Sequence, residues 1–201
     1  MSEKLGQGGP AGSTPLDPDD LEGLIPTFVA TRSDLNRVEQ ANIEGASAWL
    51  FRRSGRMKSQ RVLTSNFAND LHRRMFGEVW RWAGARRPRE TNIGVDPDQI
   101  PAAMVDLFDD AQFWNEHDTY PPLERAVRLH HRLVSIHPYR NGNGRQSRLM
   151  ADAYLRSINV TRLSWGGSGL TDDDELRREY LRALREADGG DIERLLAFAI
   201  G

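Results

Sequence analysis

Residues 137–148 of this 201-residue chain, HPYRNGNGRQSR, combine side chains and glycines that together suit phosphate chemistry. His137 precedes a proline and a turn, and imidazole is the side chain best matched to proton transfer near neutral pH. The glycine-spaced run at 141–144 lets the backbone approach a ligand, and it leads into a predicted helix N-terminus, where free N–H groups favour an anion. Arg145 and Arg148 are three residues apart on that helix, so both guanidinium groups lie near its start. The pattern predicts a base beside a di- or triphosphate site.

The elements predicted around this stretch are mostly helices, because apolar residues recur at helical spacing. Residues 1–19 are rich in Gly, Pro, Ser and Asp and are predicted to be a flexible lead-in. The run TNIGV at 91–95 is predicted to lie in a small β-hairpin. We therefore expect one all-α domain over residues 20–201 with a small hairpin. The predicted helices cover about 33–52, 64–76, 98–116, 121–136 and 145–157, with further helices starting at Thr171 and Asp191.

Composition excludes several classes of protein. The chain has no cysteine, which excludes disulfides, thiolate zinc sites and a cysteine nucleophile. It has no apolar run of about 18 residues, so we expect no membrane association and a cytoplasmic location. The formal net charge of −2 argues against a nucleic-acid partner, although the charge is segregated. Residues 91–120 hold seven acids and no Lys or Arg, whereas residues 121–150 hold six arginines and one acid.

The stretch at 137–148 resembles the signature of Fic-domain proteins, H-P-F-x-[D/E]-G-N-G-R-x-x-R. Tyr139 replaces the phenylalanine and Asn141 replaces the acid. WRWAG at 80–84 with TNIGV at 91–95 resembles the segment leading into the family's target-binding flap, and IEG at 43–45 resembles the end of its inhibitory helix. The sequence of the first residues looks most like that of the branch called mobile mystery protein B. The positions that match the signature outright are His137, Pro138, Gly142, Asn143, Gly144, Arg145 and Arg148.

The resemblance implies a Fic-type helical bundle that acts as a protein adenylyltransferase, a nucleotidyltransferase that moves AMP from ATP to a Ser, Thr or Tyr hydroxyl of a target protein. It implies Mg²⁺ as cofactor, with Asn141 as the metal ligand. His137 would be the general base. The phosphates would be held by Gly142, Asn143 and Gly144 as the anion hole, by Arg145 at the β-phosphate and by Arg148 at the γ-phosphate. The target-binding flap would consist of Thr91, Asn92, Ile93, Gly94 and Val95.

The resemblance also implies autoinhibition. Glu44, in an inhibitory-type helix at about 33–52, would form an ion pair with Arg148 and hold the resting enzyme nearly inactive. Gln40 stands where the family's inhibitory motif has Ser or Thr. Asn141 brings no negative charge to a hard cation, so we expect weak metal binding, or binding dominated by the nucleotide's phosphates.

Other functions remain open at the level of sequence. Within the same fold the transferred group could be UMP, phosphate or phosphocholine, or the reaction could remove AMP from a modified target. Gly144 favours nucleotidyl transfer, because Doc-type motifs carry Lys there. The alternative from a different class is a catalytically weak, nucleotide-binding regulatory module. His72, His117, His130 and His131 show no spacing with acids that would indicate a metal site, and they are predicted to be structural or solvent-facing.

Overall fold

The computed structural model describes residues 17–53, 57–166 and 174–201, and this part of the chain is mostly helical. Its β pairing includes an isolated antiparallel bridge between Leu24 and Trp80. The predicted all-α fold is confirmed. No helix in the described ranges is long and apolar enough to cross a membrane. The helices are α1 (Pro18–Leu21), α2 (Arg32–Arg53), α3 (Ser59–Val62), α4 (Ser65–Phe76), α5 (Ile100–Glu116), α6 (Pro122–Ile136), α7 (Asn143–Ser157), α8 (Asp174–Asp188) and α9 (Glu193–Ile200).

The centre of the fold is the helical pair α6 and α7, which a six-residue loop connects. Apolar residues recur every three or four positions on both helices, so each buries one face. Leu129 and Leu133 of α6 and Met150 and Leu155 of α7 are almost completely buried. The connecting loop and the start of α7 contain most of the residues predicted to do chemistry, and the packing of the two helices fixes the ends of the loop.

Two further layers surround this pair. The long helix α2 packs on α4 through Leu35, Ile43 and Leu50, which are buried. At the other side, α8 and α9 pack on each other and on α6. The backbone N–H groups of Ser164 and Trp165 both donate to the carbonyl of Ala199, at 2.9 and 3.1 Å, which ties the segment after α7 to the end of α9.

The first described residues are attached to the loop between α6 and α7. Asp17 caps α1, and the buried carboxylate of Asp20 forms an ion pair with Arg140 at 2.8 Å. The carbonyl of Asp20 also accepts a hydrogen bond from the Trp82 indole. Residues 17–19 of the predicted flexible segment therefore begin a short helix, and residues 1–16 lie outside the described residues. The predicted start of a helix at Thr171 lies outside them too.

The predicted β-hairpin at 91–95 is wrong for the described structure, which has bends there instead of strands. The Val95 N–H donates to the carbonyl of Ile136 at the end of α6, at 3.3 Å, and the Thr91 hydroxyl donates to the carbonyl of Ile93 at 2.6 Å. Gly94 has a φ of 112°, in the left-handed region. The backbone groups of this segment are thus bonded to α6 and to nearby side chains, so they do not form a strand ladder.

Candidate functional site

The loop between α6 and α7 keeps its shape through one side chain and two special backbone conformations. His137 ends α6 in the left-handed region, with φ 54° and ψ 59°, and Gly142 precedes α7 with φ 80°. Across the loop, the Asn143 side-chain amide accepts from the backbone N–H of Tyr139 at 2.9 Å and donates to the Tyr139 carbonyl at 2.7 Å. The tyrosine ring is fully buried under the loop, as predicted, and its hydroxyl donates to Asn69. A primary amide offers a donor and an acceptor on one carbon, which this double contact requires.

His72 supports the same loop from α4. The backbone N–H of Gly84 donates to its Nδ1 at 2.9 Å, so Nε2 carries the proton and donates to the carbonyl of Asn141 at 3.0 Å. The imidazole stacks on the Tyr139 ring with centroids 3.8 Å apart. Burial lowers the pKa of His72 to about 3. The imidazole is therefore neutral, and it has the buried structural position that the sequence allowed.

His137, the predicted base, is 5% exposed. Burial, opposed by a backbone hydrogen bond with Val134 and assisted by the positive charge of Arg87, lowers the pKa of this imidazole to about 4. The imidazole is therefore neutral at pH 7 and able to accept a proton. A Cβ at Gly94 would stand 2.7 Å from the Cβ of His137, so residues 91–95, predicted as a flap, lie directly against this histidine.

Arg87 joins the 91–95 segment to the end of α6. Its Nε donates to the carbonyl of His137 at 2.6 Å, one terminal nitrogen donates to the carbonyl of Val95, and the other donates to the carbonyl of Arg89 at 2.7 Å. The side chain is buried. Sequence reasoning did not single out Arg87, because no local pattern separates it from the other arginines of this arginine-rich chain.

Arg145 lies in the first turn of α7 and forms an ion pair with Glu39 of α2, at 2.8 Å. Glu39 is 2% exposed, and its other carboxylate oxygen accepts from the indole N–H of Trp80 at 2.7 Å. The Arg145 guanidinium also stands over the Phe76 ring, with Cζ 5.0 Å from its centroid. The guanidinium that was predicted to hold a phosphate is thus already paired with a buried carboxylate.

The predicted ion pair between Glu44 and Arg148 is wrong for the described structure. Glu44 is exposed and accepts a hydrogen bond from Gln40, one turn earlier on α2, at 3.0 Å. Arg148 instead stands over the Tyr180 ring of α8, with Cζ 4.3 Å from its centroid. The reason is helical geometry: five residues rotate a side chain by about 140°, so Glu39 and Glu44 cannot face the same neighbour.

Asn141, the predicted metal ligand, uses its side-chain oxygen to accept from the backbone N–H of Gly142 at 2.7 Å. Its carbonyl already accepts from His72. Within the described ranges there is no group of three or more His, Asp or Glu side chains that could hold a metal ion. One neutral oxygen does not meet the preference of Mg²⁺ for several hard, charged oxygens. The described donors at this loop therefore do not fit a magnesium site.

The N-terminus of α7 has no side-chain cap. Gly142 is the N-cap and has no side chain to accept from the first turn, so the amide groups of Asn143, Gly144 and Arg145 lie at a helix start without a capping oxygen. Together with the guanidinium of Arg145 and that of Arg148 one turn later, they form a set of donors at the start of α7. Such a set suits a phosphate chain, as predicted from the sequence.

Comparison with known proteins gives a consistent result. Residues 62–155 match the sequence model of the Fic/DOC family. The chain is 31% identical over 135 residues to "Protein adenylyltransferase Fic" of Nematostella vectensis, an alignment that covers 64% of this chain and 30% of that protein. It is 29% identical over 136 residues to "Protein adenylyltransferase fic-1" of Caenorhabditis elegans, with 64% and 25% covered. The chain thus matches less than a third of the length of these curated relatives.

Solved structures share the fold. BepC from Bartonella tribocorum, solved with bound AMPPNP, superposes with a TM-score of 0.65 at 14% identity, covering 92% of this chain and 97% of that one. Fic-1 (residues 134–508) from C. elegans superposes with a TM-score of 0.62 at 21% identity, covering 90% and 51%. The predicted Fic-type helical fold is confirmed by these comparisons.

Gly142→Ala tests the geometry of the loop. A Cβ at this position would stand 2.4 Å from the Phe76 ring, and the residue would have to keep a left-handed φ of 80°. We expect the free energy of unfolding, measured in urea, to fall by about 2 kcal/mol or more. Gly144→Ala is the matched control: its nearest neighbour would be the Tyr180 hydroxyl at 3.7 Å, and α7 gains a better helix former. Equal stabilities of the two variants would contradict this account of the loop.

The buried histidines predict how stability depends on pH. Burial lowers the pKa of His72 to about 3, that of His137 to about 4 and that of His130 well below its usual value, whereas an unfolded imidazole titrates near 6.5. The unfolded chain therefore binds up to three more protons, and stability falls as pH falls below 6.5. Burial raises the pKa of Asp152 to about 6, so the folded chain binds one more proton at this carboxyl than the unfolded chain. Asp152 therefore offsets one of the three histidine protons.

The net effect is about two protons near pH 5, so the free energy of unfolding should fall by about 3 kcal/mol per pH unit there. Urea unfolding between pH 7 and pH 5 measures it. His137→Ala should reduce the slope by about 1.4 kcal/mol per pH unit, while His117→Ala, at an exposed position, should leave it unchanged. A pH-independent stability over this range would overturn the assignment of neutral buried imidazoles.

Proposed function

Because residues 62–155 carry a domain of the Fic/DOC family, we propose that this chain is a protein adenylyltransferase that moves AMP from ATP to a Ser, Thr or Tyr hydroxyl of a target protein. The observation that carries the proposal is the neutral, buried His137 beside the uncapped start of α7, with Arg145 and Arg148 on that helix. Two relatives with adenylyltransferase in their names support it. The proposed partners are ATP and a target protein in the cytoplasm, not a nucleic acid or a membrane.

His137 would act as general base in this reaction. The target hydroxyl oxygen forms a bond to the α-phosphorus of ATP, the bond from that phosphorus to the bridging oxygen breaks, and pyrophosphate leaves. The hydroxyl proton goes to His137, through Nε2, since its Nδ1 is buried. A hydroxyl loses its proton only as the new bond forms, so a positioned neutral imidazole suffices.

The start of α7 would hold the phosphates. The amides of Asn143 and Gly144 would face the α- and β-phosphates, and that of Gly142 would join them once Asn141 releases it. Arg145 would hold the β-phosphate and Arg148 the γ-phosphate. The backbone amides at the start of α7 would stabilise negative charge without moving, because Asn143 and His72 already fix the loop. Magnesium, when bound, neutralises phosphate charge. Since the described donors at this loop do not fit a magnesium site, we propose that the metal enters with the nucleotide's phosphates and that Asn141 contributes little.

We further propose that Glu39, in place of the predicted Glu44, restrains the resting site. Its ion pair with Arg145 is buried and is anchored by Trp80. A phosphate must displace this carboxylate to reach the guanidinium, and charge-assisted pairs of this kind are strong enough to compete. Nucleotide binding would therefore carry the free-energy cost of breaking one buried ion pair.

The proposed reaction is tested by incubating the chain with Mg²⁺ and ATP labelled at either the α- or the γ-phosphate. We expect label from α-labelled ATP on the chain or on a protein of a cell lysate, and none from γ-labelled ATP. His137→Ala should abolish the label, and His117→Ala, at an exposed position, should keep it. Label from the γ-phosphate alone would show phosphate transfer. ATP binding with no label from either position, in Glu39→Gln as well, would show a nucleotide-binding regulatory module.

Glu39→Gln separates the two glutamates of α2. Glutamine keeps an oxygen for the Trp80 indole but removes the charge that holds Arg145, so we expect ATP affinity to rise about 10-fold, with more label transferred. Glu44→Gln, at the exposed position on the same helix, is the matched control and should behave like the unmodified chain. Calorimetric titration with a non-hydrolysable ATP analogue measures the affinity. A rise in ATP affinity in Glu44→Gln with no change in Glu39→Gln would support the prediction for Glu44 and contradict the role proposed for Glu39.

A further inference from the structure

Arg148 is held in a different way from Arg145. Among the described residues, no carboxylate forms an ion pair with Arg148, whereas Arg145 is paired with Glu39 at 2.8 Å. The guanidinium of Arg148 instead stands 4.3 Å from the ring centroid of Tyr180 and 6.0 Å from that of Trp165. Both rings belong to the part of the chain after α7, which the motif pattern did not include.

Tyr180 is itself fixed in place. Its side chain is 8% exposed, and its hydroxyl lies 3.1 Å from Nε2 of His130, a fully buried residue of α6. Its ring also packs against Phe198 of α9, with centroids 5.7 Å apart. These contacts hold the ring from more than one side, so its face keeps one position against the guanidinium even when one of them is removed.

Trp165 is fixed from the other direction. Its backbone is left-handed, with φ 52°, and its N–H donates to the carbonyl of Ala199 at 3.1 Å. Its indole N–H donates to the buried carboxylate of Asp152 at 3.4 Å, and its ring packs on His130, with centroids 4.5 Å apart. Both aromatic neighbours of Arg148 are thus held to His130 and to the end of the chain.

The way a guanidinium is held decides what a phosphate must displace. A carboxylate takes up the edge N–H groups, which are the groups that a phosphate needs. An aromatic ring takes up only the planar face. The Tyr180 hydroxyl also bonds Arg148, but it is a neutral acceptor, so terminal N–H groups remain for a phosphate. A cation–π contact contributes about 0.5–2 kcal/mol. Arg148 can therefore be fixed and ready for an anion at once, which Arg145 cannot be in the resting structure.

We propose that Tyr180 is a positioning residue that holds Arg148, through its ring, in the orientation that receives the outermost phosphate of a nucleoside triphosphate. This inference rests on the proposed function for its ligand, although the contact between the two side chains does not. It assigns the C-terminal helices α8 and α9 a part in distinguishing triphosphate from diphosphate. The packing of Tyr180 against α6 and α9 fixes the ring, and the ring fixes the arginine.

The first test needs no nucleotide. NMR of the Nε–H group of Arg148, assigned with Arg148→Lys, reports how fast its proton exchanges with water; this nitrogen is buried in the resting structure. Tyr180→Leu should accelerate exchange at least 10-fold, because the face of the guanidinium loses its cover. Tyr180→Phe keeps the ring and should stay within about threefold of the unmodified chain. Phe198→Leu, which loosens the same helices without touching Arg148, is the matched control and should also stay there.

The second test measures affinity for a non-hydrolysable ATP analogue and for ADP, both with Mg²⁺, by calorimetry. Tyr180→Leu should lose about 10-fold in affinity for the ATP analogue and less than twofold for ADP, and Tyr180→Phe should restore the difference. A purely structural role would weaken both nucleotides equally in Tyr180→Leu and in Phe198→Leu. If Tyr180→Leu does not fold, Tyr180→Met, which has no aromatic face, replaces it in both tests.

The outcomes separate this proposal from the proposed function. Unchanged Nε–H exchange in Tyr180→Leu, equal losses for ATP analogue and ADP, or no binding of either nucleotide by the unmodified chain would overturn the role of Tyr180. A selective loss of the ATP analogue, together with no transfer of AMP by any variant, would uphold the role of Tyr180 and overturn adenylyl transfer. AMP transfer that is unchanged in Tyr180→Leu would uphold adenylyl transfer and overturn the role of Tyr180.

Discussion

The hydrogen bond from His72 to the carbonyl of Asn141 is the contact on which the arrangement of the site depends. It joins α4 to a loop that contains two left-handed backbone positions, and such a loop persists only when its surroundings hold it. The imidazole can make this bond and accept from Gly84 only in one neutral tautomer. Burial keeps it neutral by lowering its pKa to about 3. The fold thus fixes the protonation state of His72, and His72 in turn fixes the loop that leads into the uncapped amides of α7.

The two arginines of α7 are prepared in opposite ways. Arg145 is paired with a buried carboxylate of α2, which must be displaced, and Arg148 rests against an aromatic face of α8, which need not be. The first arrangement costs binding energy and gives a point of control. The second fixes the guanidinium before the ligand arrives and lowers the entropy cost of binding. Under the proposed function, one nucleotide site would thereby be both restrained by α2 and preorganised by α8.

The sequence predicted those features that depend on nearby residues. Helical periodicity located α2, α4, α6 and most of α7, and the glycines of the loop indicated a tight turn before a helix start. Contacts between distant elements were not predictable in the same way. TNIGV has the composition of a strand, yet Arg87, ahead of it in the chain, binds the Val95 carbonyl and α6 binds the Val95 N–H, so no ladder forms. Choosing Glu44 over Glu39 required knowing which face of α2 meets α7, and no motif carries that information. Tyr180 lies 32 residues beyond Arg148, and only tertiary packing brings them together.

The central claim is that the two arginines respond differently to one ligand, and a crystal structure of the chain with Mg²⁺ and a non-hydrolysable ATP analogue tests it most directly. The account predicts that Arg145 leaves Glu39 and contacts phosphate oxygens, while Arg148 contacts the outermost phosphate and keeps its place over the Tyr180 ring. A bound triphosphate with the Glu39–Arg145 pair intact, or with Arg148 swung away from Tyr180, would contradict it.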